Sequence, residues 1–129
     1  MVISPYVIPG LTPFYRKDSP EFVVETICDF FHIKVEKLQE GKRASKEAVY
    51  AREMCVWFLC RFFDERVCSL TQMGRLFKRH HTTIIYFREK VRKNLYDKSE
   101  SLHGKYYRDY MKLQKILNPY FNVHDSNIR

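Results

Sequence analysis

Residues 80–83 read His80-His81-Thr82-Thr83, two imidazoles and two hydroxyls in a row, and four cysteines are scattered upstream at positions 28, 55, 60 and 68. Side chains of these types can ligate a metal, move a proton, attack as nucleophiles, or donate hydrogen bonds to a ligand. Each use carries its own geometric demand. A metal site needs three or four converging ligands. Adjacent histidines on a helix point apart, no acidic cluster stands beside them, and no cysteine pair has CxxC spacing. A catalytic site needs a nucleophile, a base and an orienting group within reach of one another, and no such set can be assembled from neighbours. The expectation is therefore no metal, no cofactor and no catalytic residue. Cys28, Cys55 and Cys60 fall within apolar helical patterns, where a thiol acts as a small buried hydrophobe, so reduced structural thiols are expected. What remains for the histidines and threonines is hydrogen bonding to something outside the chain.

The charge says what that something is. The net charge is +8, and Lys34–Lys98 holds 16 basic against 8 acidic residues, while the remainder of the sequence sums to zero. A polyanion is the natural partner of such a segment, either nucleic acid or an acidic surface. The most apolar run, Cys55–Cys60, is far shorter than the roughly 20 residues of a membrane span and is followed by Arg61. No basic start followed by a long apolar region marks a signal peptide, so the expected location is the cytoplasm. No GxxxxGK[ST] run occurs in the 129 residues, so no nucleotide is expected as a partner.

The elements that must position these residues read as helices throughout. Residues 1–18 contain Pro5, Pro9, Gly10 and Pro13 among aromatics and read as an extended arm or docked tail, through which a protein partner is expected to be met. Ser19-Pro20-Glu21 starts a helix to about Phe31; Val23, Ile27, Phe30 and Phe31 share its buried face. Ile33–Leu38 is a short helix before Gly41 and the basic loop Lys42-Arg43-Ala44. Ser45 caps a long central helix to about Phe63, apolar on more than one face through Val56, Trp57 and Phe63. Ser69–Phe77 and His81–Leu95 are two helices around the turn Lys78-Arg79-His80. A last helix over about Leu102–Leu117 packs through Tyr106, Tyr110, Leu113 and Leu117, with Gly104 awkward near its start. The domain boundaries are an arm 1–18, a helical domain 19–117 with the helix-turn-helix at 69–95, and a tail 118–129.

The pair of helices at 69–95 has the pattern of a helix-turn-helix. Gly74 sits where two steeply crossing helices need a tiny residue. Met73 and Phe77 flank it on the first helix, and Ile84, Phe87 and Val91 answer on the second. With those faces buried, His81, Thr82 and Thr83 stand at the exposed start of the second helix, the end that enters the major groove in this motif. A threonine hydroxyl can bond base edges or phosphate while its methyl meets thymine.

Ser69-Leu70-x-x-Met73-Gly74-x-x-Phe77 followed by His81-Thr82-Thr83-Ile84, with Gly41-Lys42-Arg43 and Ala51-Arg52 upstream, resembles the signature of domain IV of DnaA, the bacterial replication initiator. The resemblance covers about Phe22–Leu95. It implies an all-α, compact multi-helix domain of the DnaA domain IV or Trp-repressor-like kind, binding double-stranded DNA in replication initiation or its regulation. Position by position, it implies that Arg43 reaches the minor groove and that His80, His81 and Thr82 meet bases. Lys42, Lys46, Arg52, Thr71, Arg79, Thr83 and Lys90 become the phosphate-facing set. The family usually has two glycines and Arg-Asp before His-Thr-Thr. Here Lys78-Arg79-His80 is one residue shorter and histidine replaces aspartate, so a different preferred site is expected, and Lys78 falls where a left-handed backbone is wanted. Without a phosphate loop, the expected protein grips DNA as a stand-alone domain lacking the ATPase module. The rival readings are a helical protein-interaction module or a transcriptional regulator on the same fold.

Overall fold

A computed structural model describes residues 19–39, 45–96 and 104–121. The arm at 1–18, the basic loop with Lys42 and Arg43, Leu102, and most of the expected tail lie outside the described residues. The described residues form five α-helices, α1 (Pro20–Phe30), α2 (Lys46–Phe62), α3 (Leu70–Phe77), α4 (His81–Tyr96) and α5 (Lys105–Leu117), with short 3-10 turns at Val35–Gln39 and Asn118–Tyr120 and no strand.

The helices begin where hydroxyl side chains can satisfy orphan N–H groups. Ser19 Oγ accepts from the Phe22 N–H at 3.2 Å, and Ser45 Oγ accepts from the Ala48 N–H at 3.1 Å. α1 stops because His32 turns left-handed (φ 56°), letting the N–H of Ile33 reach Cys28 O at 2.9 Å and that of His32 reach Asp29 O at 3.1 Å. The short helix expected at Ile33–Leu38 is the tighter 3-10 turn at Val35–Gln39. Gly104 stands outside α5 as its cap residue, where glycine is tolerated, which removes its awkwardness and starts the helix at Lys105.

α2 is the axle of the molecule. Met54, Cys55, Val56, Trp57, Phe58, Leu59 and Cys60 are all fully buried, so every side of the helix is covered in its middle. α1 and α4 pack along it, and α5 adds Tyr106 against Tyr50 (centroids 4.9 Å) and Tyr110 against Trp57 and Phe58. Just past α5, Phe121 stacks on Phe62 of α2 at 4.2 Å. All four cysteines are buried free thiols. Burial, with a hydrogen bond to Cys28, pushes the Cys55 thiol well above its ordinary range, so it sits there neutral. No helix among the described residues is long and apolar enough to cross a membrane.

Candidate nucleic-acid interface

α3 and α4 make the helix-turn-helix. A reciprocal capping box starts α3: Ser69 Oγ accepts from the Gln72 N–H at 3.1 Å, and the Ser69 N–H donates to Gln72 Oε1 at 2.6 Å. Met73, Gly74 and Phe77 are buried on α3, and Ile84, Phe87, Val91 and Leu95 on α4. α3 ends at Lys78, whose backbone is left-handed (φ 54°, ψ 48°), as the shortened turn demanded. Holding a lysine there costs roughly 1–2 kcal/mol. The twist returns the chain over α3, so that the Arg79 N–H bonds Gly74 O at 2.7 Å. A Cβ on residue 74 would run into the carbonyl oxygen of Arg79 and approach the N of His81 at 3.7 Å. The glycine is therefore required by the backbone of the turn, not by the neighbouring helix, whose nearest atom stands at ordinary contact distance.

His80 precedes α4 and caps it. Its Nδ1 accepts from the Thr82 N–H at 3.3 Å and lies 2.9 Å from Thr82 Oγ1. Accepting at Nδ1 assigns the ring's proton to Nε2. The two histidine rings do not diverge: their centroids are 4.3 Å apart at 35°. The reason is that His80 has cap geometry, so the 100° step between successive helical residues does not separate it from His81. His80, His81 and Thr82 are exposed, and Thr83 is half-buried with its N–H on His80 O at 2.9 Å. The outcome is a short ledge of imidazole and hydroxyl groups at the positive end of a helix dipole.

Cations border this ledge unevenly. Lys78 is exposed, and Arg79 is half-buried with Nη1 donating to the carbonyls of Lys78 at 2.9 Å and Phe77 at 3.3 Å, where it covers the negative end of α3. Thr71 and Lys46 are exposed in the first turns of α3 and α2. Arg52 is a correction to the phosphate-facing set. It is only 2 % exposed, its Nε donates to Leu38 O at 2.8 Å, and its guanidinium lies 5.8 Å from the Phe87 ring. A side chain enclosed in this way positions the 3-10 turn against α2 and α4 and cannot reach a phosphate. Lys90 is drawn inward too, with Nζ 2.9 Å from Oε2 of Glu53, a carboxylate that is 1 % exposed.

Three positions escaped the sequence reading. Gln39 Nε2 donates to Leu76 O at 2.7 Å and so fastens the 3-10 turn to α3. Glu53 holds both Lys90 and the Tyr106 hydroxyl, the latter at 2.6 Å; burial and that bond push the Tyr106 phenol far above its ordinary pKa. A lone carboxylate within the apolar middle of α2 was the available signal, because an acid in such a place needs a partner. Tyr86, four residues beyond Thr82, is 60 % exposed on α4.

The comparisons with known proteins bear on the same segment. Residues 20–91 match the family described as the bacterial dnaA protein helix-turn-helix. The chromosomal replication initiator protein DnaA of Mycoplasma pneumoniae is 30% identical over 91 residues, 69% of this chain and 19% of the relative. Those of Caldanaerobacter subterraneus subsp. tengcongensis and a Thermoanaerobacter species are 30% and 29% identical over 76 residues, 59% of this chain and 16% of each relative. The match thus spans less than a fifth of the length of these curated relatives.

Proposed function

This chain belongs to the bacterial DnaA helix-turn-helix family, and we propose on that premise that it binds double-stranded DNA at a preferred sequence, in the initiation of replication or its regulation at an origin. The observation that carries the reading is the ledge at the start of α4. His81 and Thr82 project into solvent from its first turn, and His80 fixes their direction by capping the helix through Nδ1.

The roles follow from exposure and chemistry. His80 through Nε2–H, His81 through its ring and Thr82 through its hydroxyl face base edges in the major groove. Lys78, Arg79, Lys46, Thr71 and Thr83 border the groove as phosphate contacts, joined by Lys42, while Arg43 reaches the minor groove. Lys90 reaches phosphate only by sharing its ammonium with Glu53. Sequence discrimination departs from the usual pattern of the family at His80. An aspartate there accepts from cytosine, whereas a neutral imidazole with its proton on Nε2 donates.

The test is selection from random duplex oligonucleotides, followed by titration of the recovered site at two salt concentrations. A short motif should emerge, bound with a Kd in the nanomolar to micromolar range that weakens steeply with salt, on the order of 0.9 log units per log unit of salt for each phosphate neutralised. Thr82→Ala and Arg43→Ala should each lower affinity for it. An unenriched pool, with weak binding indifferent to both changes, would instead favour a protein-docking module.

A further inference from the structure

The middle of α4 is rich in cations, yet they are held in ion pairs. Arg88 and Arg92 lie on Glu89 at 3.1 and 2.8 Å, and Lys90 lies on buried Glu53 at 2.9 Å. Tyr86 stands among them differently. It is 60 % exposed and takes no part in the ion pairs around it. Among the described residues it meets the Phe87 ring at 6.2 Å and lies near the Tyr106 phenol, and no hydrogen bond holds its hydroxyl. At 3.6 residues per turn it shares the face of Thr82, about 6 Å farther along the axis. A residue one turn in from the entering end stands farther from the groove floor and closer to its wall, and a tyrosine is long enough to bridge that gap.

We propose that the Tyr86 hydroxyl donates a hydrogen bond to a backbone phosphate at the wall of the major groove and thereby fixes the depth and register at which His81 and Thr82 meet the bases. The proposal rests on the DNA-binding reading above. Tyrosine is among the neutral side chains that serve as phosphate donors, and these position a protein without reading sequence. A neutral donor also has a distinctive signature. It releases no counterion, so its loss lowers affinity and leaves the salt dependence intact, unlike the loss of a lysine or arginine.

The experiment compares the wild-type chain with Tyr86→Phe, which keeps the ring and removes the hydroxyl. Both go through duplex selection and salt titration on the wild-type site, with thermal melts to show equal folding. The expected result is binding weaker by roughly tenfold, as for the loss of a hydrogen bond to a charged group, with the same selected motif and the same salt slope. Equal affinity of the two proteins overturns the proposal. A changed motif overturns it as well, because it would place the hydroxyl on a base. If the wild-type chain itself selects no duplex motif and binds no duplex, the underlying reading fails at that earlier step and takes the proposal with it.

Discussion

Two polar clusters touch α4, and they are built in opposite ways. At its start, His80, Thr82, Lys78 and Arg79 bond to groups one or two residues away, and His80, His81 and Lys78 stay exposed. Along its inner side, Glu53 joins Lys90 and Tyr106 across 37 and 53 residues of chain, while the Tyr50 hydroxyl donates to Asp109 across 59. Bonds between near neighbours stiffen a ledge without covering it, so its outward groups remain available to a ligand. Bonds between distant segments hold helices together and engage the side chains that make them. Lys90 belongs to the second kind, which is why its charge by itself is a poor guide to its role.

The sharpest way to break this comparison is to remove Lys90. Lys90→Met leaves a carboxylate that is 1 % exposed without its counter-charge, and the expected loss is about 3 kcal/mol in a denaturant titration. Glu53→Gln should cost less, because the Lys90 side chain, 39% exposed, can turn to water. If Lys90→Met instead kept full stability and flattened the salt dependence of DNA binding, Lys90 would belong to the ledge. Next in size is Gly74→Ala, where the added methyl must displace the turn carbonyl of Arg79. A stability loss of about 2 kcal/mol is expected, with DNA affinity falling further than the melting temperature implies, because α4 shifts relative to α3.

A smaller effect on stability, but a larger one on specificity, is expected at the cap. His80→Asp keeps an acceptor for the Thr82 N–H, so stability should change by no more than about 1 kcal/mol. The selected motif should move toward cytosine at one position, and an unchanged motif would take His80 out of the base-reading set. The last effect appears only in alkali and concerns the two phenols of the inner cluster. Burial and hydrogen bonds to Asp109 and Glu53 raise the phenol pKa values of Tyr50 and Tyr106 above their ordinary 10.0. Groups raised in this way contribute stability that is fully present below the unfolded pKa and is lost as pH climbs toward the folded one. Melting temperature should therefore fall above about pH 10, and Tyr50→Phe with Tyr106→Phe should flatten that fall while leaving the ledge and DNA binding near neutrality unchanged.

The sequence alone determined what depends on short spacing. Ser19, Ser45 and Ser69 mark helix starts because their hydroxyls bond N–H groups three residues on. The missing turn glycines announced the left-handed Lys78, and the apolar stripes of α2, α3 and α4 picked out the buried faces and so the exposed first turn of α4. The tertiary structure decided which charged side chains face solvent. Arg52 and Lys90 differ little from Lys46 in composition or local pattern, yet two of the three are held by Leu38 O and by Glu53. Whether a cation meets a phosphate or a buried acceptor turns on which distant segment lies within about 3 Å of it, and spacing within a single helix carries no information about that distance.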